Sequence, residues 1–292
     1  MLKVGDTSQQ VSVQSFCDTV KRMPDSTVRF PGAFAIVALA AIPLHAQQPF
    51  HWPSGKRAAV SLSFDDARTT QIDNGLSVLQ KYGVRATFFV LPNRVKERLD
   101  GWKRAVAQGH EIGNHSATHP CTANYEFSAR NGLEDFTLAR MAGELDRAND
   151  DLERLLGVKP VTFAYPCGQK TIGRGRQAQS YVPLVAERFL IGRGYLDESP
   201  NDPSRCDFAQ TMGTVLDGLT YKQATDIVSD AAKSGRWVIF VSHEVGPPAF
   251  QTTDIAVLEQ LIQYLRDPKN GLWVDTVKTI GAYVKAHRSL AR

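Results

Sequence analysis

From Lys56 onward, short apolar runs rich in β-branched and aromatic residues alternate with longer segments whose apolar positions recur every three or four residues. Residues 58–64 read as a buried strand. Ile72, Leu76 and Leu79 mark one face of a helix over 71–82 that Gly83 stops. A second strand covers 85–91, a second helix 95–108 ends at Gly109, and a short third strand covers 110–113. The longest predicted helix spans 133–156, with Leu133, Phe136, Met141, Leu145, Leu152 and Leu156 on one face, Glu134 and Asp135 in its first turn, and Gly157 at its end. Residues 161–165 form a strand stopped by Pro166-Cys167-Gly168. An exposed loop covers 169–179, another strand 189–193 and a polar loop 197–207. A helix over 221–233, a strongly apolar strand over 237–242, a helix over 254–266, a strand over 272–274 and a helix opening at Asp275 complete the pattern. There is no internal repeat and no low-complexity segment.

This alternation predicts an α/β fold with a parallel sheet, closed or nearly closed into a barrel, whose chemistry sits at the carboxyl ends of its strands. The polar residues obey that rule. Asp65-Asp66, His115, Pro166-Cys167-Gly168 and His243 each follow directly on a predicted strand.

The N-terminus is a different text. Residues 1–22 are polar and unpatterned. After Met23 and Arg29, an apolar run over 31–44 leads into His45-Ala46-Gln47. The run is shorter than the roughly 20 residues that span a bilayer, so it reads as a secretory signal cleaved near Ala46, with Met23 as the true start. A short membrane anchor or a buried N-terminal helix is the alternative. No Cys follows the run, so a lipid anchor is not indicated. The expected division is 1–46 as extension and signal and 47–292 as the catalytic domain, with a secreted or periplasmic product and no stable membrane insertion once the signal is removed. The 292 residues, 42% hydrophobic, suffice for one large barrel-like domain. Lys and Arg number 34 against 30 Asp and Glu, a net +4 without a basic run, which gives no sign of a nucleic-acid partner. Cys17 falls in the part expected to be lost. Cys121, Cys167 and Cys206 then allow at most one disulfide and leave one thiol free.

The candidate chemistry centres on Gly109-His110-Glu111-Ile112-Gly113-Asn114-His115-Ser116-Ala117-Thr118-His119-Pro120. His115 and His119 converge if the backbone turns sharply between them, and a metal that does chemistry usually takes a third protein ligand while keeping one position open. Asp65 and Asp66 supply the carboxylates. Adjacent strand residues point to opposite faces, so one is expected to ligate and the other to take a proton; the plain alternative is a turn or helix cap. His243 is either a general acid or a satisfied core histidine. Pro166-Cys167-Gly168 is either a tight turn or the source of an amide, that of Cys167, for a developing oxyanion.

Ser63-Phe64-Asp65-Asp66, His115-Ser116-Ala117-Thr118-His119, Phe163-Ala164-Tyr165-Pro166-Cys167-Gly168 and Val241-Ser242-His243 together resemble, in order and approximate spacing, the motifs of the polysaccharide deacetylase family, the NodB-homology or carbohydrate esterase family 4 enzymes. The resemblance runs from about Lys56 to past His243. It implies a distorted (β/α) barrel of about seven parallel strands. It also implies a divalent metal, zinc foremost with Co²⁺, Mn²⁺ or Ni²⁺ as alternatives, held by Asp66, His115 and His119. Asp65 would be the base, Cys167 the oxyanion amide and His243 the acid. The implied reaction is hydrolytic removal of acetyl, by a metal-activated water, from an N-acetylated polysaccharide such as chitin-like polymer, poly-N-acetylglucosamine or peptidoglycan. O-acetyl xylan-type esterase or cyclic-amide hydrolase activity on the same site, and a glycan-binding pseudoenzyme, are the alternatives. Two departures stand out. Ala164 occupies the place of an Arg that braces the catalytic Asp in the family, which makes Arg193 the candidate replacement. The family's Asp and Trp motif has only Asp197 and Asp202 as stand-ins, so Asp197 joins Arg193 as a candidate for tuning or substrate contact.

Overall fold

The computed structural model describes residues 50–288; the expected signal segment, the Met23 start, the Ala46 cleavage and Cys17 lie outside them. In chain order the elements are β1 (Ala58–Asp65), α1 (Leu76–Tyr82), β2 (Thr87–Val90), α2 (Pro92–Val95), α3 (Leu99–Ala107), β3 (Glu111–Asn114), α4 (Leu138–Leu156), β4 (Thr162–Ala164), β5 (Thr171–Ile172), β6 (Gln179–Ser180), α5 (Val182–Arg188), β7 (Ile191–Arg193), β8 (Thr214–Val215), α6 (Tyr221–Lys233), β9 (Trp237–Ser242), β10 (Glu244–Gly246), β11 (Thr252–Asp254), α7 (Ile255–Arg266), β12 (Leu272–Val274) and α8 (Val277–His287).

Seven parallel strands follow the order β7-β4-β3-β2-β1-β9-β8, as the expected distorted (β/α) barrel requires, and β12 joins as an eighth. β1 is the hub. One edge pairs with β9 along Ala59 to Phe64; the other takes β12 at its start and β2 at its end. The far edges approach each other through one stretch of chain. Thr211 bridges to Arg193 of β7, and Thr214 and Val215 pair with β9. That stretch brings the two ends of the strand path within reach of one another.

The alternation along β1 explains how the site residues are aimed. Ala58, Val60, Leu62 and Phe64 pack outward in a core shared with α1, α3, α6 and α7, where each fully buried aliphatic side chain contributes about 1.5–3 kcal/mol. Ala59 belongs to a separate inner cluster with Phe89, Ala164, Ile191, Trp237 and Ile239, closed by Val277, Ile280 and Val284 of α8. Ser61 and Ser63 share that inward register. Ser61 Oγ accepts from Trp237 Nε1 (3.1 Å), and Ser63 Oγ donates to the Phe240 carbonyl (2.6 Å). Asp65, two residues further on, continues the inward row at the carboxyl end.

Several boundaries differ from the sequence pattern. The helix expected over 133–156 opens at Leu138, because the Thr137 side chain caps it by accepting from Arg140 N while Phe136 stays extended; residues Leu133–Asp135 form a separate 3₁₀ turn. Glu134 therefore sits outside the helix, where its carboxylate accepts from Thr122 Oγ1 and Ala123 N. The helix expected over 95–108 is divided, since Pro92 starts α2 and a 3₁₀ turn at Lys96–Arg98 separates it from α3. The loop over 169–179 contains half of the β5/β6 hairpin. Gly83 and Gly157 end α1 and α4 in the left-handed conformation, as expected.

Candidate metal and catalytic site

The site lies at the carboxyl ends of β1, β3, β4, β7 and β9. At the end of β3, Asn114 ties the chain to α4: its side-chain amide donates to Leu145 O and Asn149 Oδ1, and its oxygen accepts from Ser116 N. Ser116 takes a left-handed φ of 64°, and its Oγ accepts from His119 N at 2.9 Å. This turn brings the His115 and His119 rings to 4.8 Å between centroids. His115 Nδ1 lies 2.9 Å from the Ala164 carbonyl, which only accepts, so Nδ1 carries the proton and Nε2 keeps its lone pair.

Asp66 leaves β1 with φ 74°, a conformation that costs a non-glycine residue of order 1–3 kcal/mol and that aims its carboxylate at the two imidazoles. Its Oδ1 is 3.4 Å from His115 Nε2 and 3.3 Å from His119 Nε2. Arg68 donates to Oδ2 at 2.9 and 3.1 Å. Oδ1 is buried and has no hydrogen-bond partner among the described residues. One orphaned carboxylate oxygen and two imidazole nitrogens, all within 4.8 Å of one another, are a donor set suited to a divalent cation with a position left open. Burial pushes the Asp66 carboxyl up, but the adjacent His115 imidazole, with the charges of His119 and His243, outweighs it and holds the group well below the usual carboxylate range. Burial, helped by His115, brings His119 down to about 4, which keeps its imidazole neutral, as ligation requires.

Asp65 is aimed differently. It points into the barrel and pairs with the fully buried Arg193 guanidinium, which also donates to Gly194 O at 2.7 Å and lies 4.9 Å from the centre of the Phe89 ring. Asp65 Oδ2 is 4.0 Å from His115 Nε2, beyond hydrogen bonding. The register pairs Arg193 with Ala164 on the adjacent strand, so the guanidinium absent from 164 arrives from the neighbouring position.

His243 follows β9, whose Ser242 pairs with Phe64, and so stands beside Asp65. Its Nδ1 is 2.6 Å from Asp217 Oδ2, and its backbone N donates to Asp217 Oδ1 at 3.1 Å. Burial pulls His243 down, yet the Asp217 hydrogen bond and the charges of Asp65, Asp66 and Asp217 prevail, so its pKa lies above the ordinary histidine value. The Gln71 amide donates to both Asp65 O (2.5 Å) and His243 O (2.7 Å), which fixes the two strand ends relative to each other.

Cys167 has φ 53° and ψ 16° and forms a disulfide with Cys121, two residues past His119; Cys206 is the free thiol among the described residues. This agrees with one disulfide and one thiol from three cysteines. Asp197 is not among the converging groups: its Oδ2 accepts from Gly213 N at 2.8 Å and fastens the β7–β8 connection. Asp202 Oδ1 accepts from Ser204 N in a loop turn. Sequence reasoning missed Asp217, Gln71 and Arg68. Asp217 follows a two-residue strand too short for any periodicity to show, so the strand-end rule could not reach it.

A family model described as polysaccharide deacetylase matches residues 53–181. The YlxY protein of Bacillus subtilis is 37% identical over 97 residues, 33% of this chain and 27% of that protein. The peptidoglycan-N-acetylmuramic acid deacetylase PdaC of Bacillus subtilis is 33% identical over 113 residues, 37% of this chain and 21% of that protein. The chain thus spans well under half the length of these relatives. Among solved structures, a Mycobacterium smegmatis protein described as a candidate polysaccharide deacetylase aligns with TM-score 0.59 at 19% identity, covering 84% of this chain and 99% of that one. A family 4 acetyl xylan esterase from Clostridium thermocellum, solved with cobalt, aligns with TM-score 0.51 at 22% identity, covering 77% of this chain and 91% of that one. At these identities the structural likeness speaks for the fold.

Proposed function

We propose, from the match of residues 53–181 to a polysaccharide deacetylase family model, that the chain is a secreted, metal-dependent hydrolase that removes acetyl groups from an N-acetylated polysaccharide. The observation that carries this reading is the bare Asp66 Oδ1 facing two imidazole nitrogens, with Asp65 and His243 beside it. Asp66, His115 and His119 would hold the cation. When bound, a divalent cation there polarises the acetyl carbonyl and makes water a nucleophile at neutral pH.

The remaining work belongs to the chain's own groups. Arg193 pairs with Asp65 and fixes its rotamer, so one carboxylate oxygen stays aimed at the reacting centre and takes the proton of the attacking water. The Cys167 amide, on its left-handed turn, serves as donor to the oxyanion. His243, held in orientation by Asp217 and with its protonated form favoured by the surrounding carboxylates, delivers its Nε2 proton to the departing amine. Breakdown then yields acetate and the free amino sugar. Support for a glycan over a small cyclic amide comes from the rim, where exposed Tyr125 and Phe127 stack at 5.3 Å and the Phe127 ring lies 6.1 Å from that of His119. Flat apolar rings beside the reacting centre suit the apolar faces of pyranoses. Export through the apolar segment at 31–44 belongs to the same proposal.

The test is acetate release from chitooligosaccharides, peptidoglycan and acetylated xylan by protein stripped of metal and reloaded with zinc. Asp65→Asn is expected to keep its metal and lose roughly 10²–10⁴-fold in kcat. Activity of Asp65→Asn near that of the parent, or no acetate from any of the three glycans by the loaded parent, contradicts the proposal.

A further inference from the structure

Two groups of candidate ligand atoms occur among the described residues, and they share His119. One is Asp66, His115 and His119. The other is His119 with Cys121 and Cys167, whose ligand atoms also lie within 4.8 Å of one another but whose sulfurs are joined in a disulfide. The two groups use opposite edges of the imidazole: Nε2 faces Asp66 Oδ1 at 3.3 Å, and Nδ1 lies 3.7 Å from Cys121 Sγ. We propose that reducing the Cys121–Cys167 disulfide opens a second metal site, formed by His119 Nδ1 and the two sulfurs, which takes a soft divalent ion and withdraws His119 from Asp66 and His115.

The frame that holds these sulfurs together does not depend on their bond. Cys121 N donates to Ser128 Oγ at 2.9 Å, the same hydroxyl donates to Cys121 O, and Leu133 N donates to that carbonyl as well. On the other side, Gly168 N donates to Tyr165 O and Gln169 N to Pro166 O, which fixes the turn around Cys167. The two loops are also tied directly, because Thr122 N donates to Gln169 Oε1 at 2.7 Å. Breaking the disulfide thus leaves both sulfurs beside His119, free to separate to the spacing that metal ligands need.

The chemistry balances with a dithiol as reductant. The sulfur–sulfur bond breaks, the dithiol is oxidised to its own disulfide, and its two electrons and two protons leave Cys121 and Cys167 as thiols. Ion binding then releases the two thiol protons to solvent. A neutral imidazole has one lone pair and one N–H, so an ion on Nδ1 places the proton on Nε2 and turns that nitrogen from a ligand into a donor facing Asp66. Thiolates favour soft ions over a carboxylate and imidazoles, so the exchange runs toward the reduced pair. In oxidising surroundings the disulfide blocks the exchange and reserves His119 for the first site. The metal-binding part of this inference stands independently of the hydrolase reading; only the accompanying loss of acetate release rests on it.

The experiment uses the full chain carrying Cys17→Ser and Cys206→Ser, so that Cys121 and Cys167 are its remaining cysteines, with Cd²⁺ as the probe under anaerobic conditions and the reductant removed before the metal is added. Reduced protein is expected to bind Cd²⁺ at least about tenfold tighter than oxidised protein, with a thiolate-to-cadmium absorption band of two sulfurs per ion. Cadmium–nitrogen coupling in ¹⁵N-histidine-labelled protein is expected at His119 Nδ1 when reduced, and at Nε2 of His115 and His119 when oxidised. A further Cys121→Ser/Cys167→Ser change is expected to abolish the band in either state. Cadmium binding to the reduced protein without that band, coupling that stays at Nε2, or loss of the far-ultraviolet circular dichroism on reduction would overturn the proposal; in the first two cases zinc-dependent acetate release can persist, which separates this failure from failure of the hydrolase reading.

Discussion

Asp217 shows how a residue can set the chemistry of another without touching substrate. Both its oxygens are occupied, Oδ2 by His243 Nδ1 and Oδ1 by His243 N and Thr253 Oγ1, so the imidazole is fixed in orientation and in tautomer. The same contact, with the nearby carboxylates, raises the His243 pKa against the pull of burial. An acid must be protonated to act, so the rate is expected to fall as pH rises through that raised value. Asp217→Asn removes a negative charge while keeping the shape, and its basic limb is expected at lower pH with kcat at neutral pH reduced roughly 10-fold or more. A pH–kcat profile of the two proteins checks this; coincident basic limbs contradict it. Arg193 teaches the complementary lesson. The family resemblance implies a bracing Arg at the place of Ala164 and makes Arg193 its candidate replacement, and the pairing of β4 with β7 supplies the reason: Ala164 and Arg193 are register partners. Asp197, offered beside it, braces a loop through Gly213, and only the folded path of 194–213 reveals that.

At the scale of elements, α8 plugs the end of the barrel away from the site, and its first turn is held by a buried carboxylate. Glu111 accepts from Lys278 N at 2.8 Å, from Thr87 Oγ1 and from Thr162 Oγ1, while Thr87 Oγ1 in turn accepts from Val277 N. These contacts satisfy amides that a helix start leaves without partners and place negative charge at its positive end. Glu111→Ala strands several buried donors at once and is expected to cost roughly 2–5 kcal/mol. Chemical denaturation checks the size, and a loss below about 0.5 kcal/mol, the range of ordinary surface changes, contradicts the assigned role. The strands and helices that carry this architecture were legible because their apolar positions repeat over many residues. β8, the β10–β11 pair and the start of α4 were not. The first two are two or three residues long and held by backbone pairing, and the last depends on a Thr cap that interrupts an otherwise continuous apolar face.

For the molecule as a whole, acid stability follows from a histidine outside the site. His110 is nearly buried, its Nδ1 accepts from Ala86 N at 3.1 Å, and burial with the Arg85 charge lowers its pKa to about 4. The unfolded chain binds that proton near pH 6.5 and the folded one only near 4, so the unfolded state holds more protons between these values. Stability from this group is therefore full above about pH 6.5 and falls as pH drops toward 4, by roughly 3 kcal/mol in total. Denaturation of the parent and of His110→Gln across pH 7 to 4 is expected to show a shallower acid slope in the variant; equal slopes contradict the assignment.

Barrel and site meet in the turn at 114–119, where Asn114 and Ser116 bring His115 and His119 toward Asp66. The most direct measurement is therefore zinc stoichiometry by equilibrium dialysis and mass spectrometry on the oxidised parent, Asp66→Asn and His115→Gln, each checked for folding by circular dichroism. About one zinc per parent chain is expected, with affinity lowered at least roughly 100-fold in each variant. Folded variants that bind zinc as tightly as the parent would contradict the account.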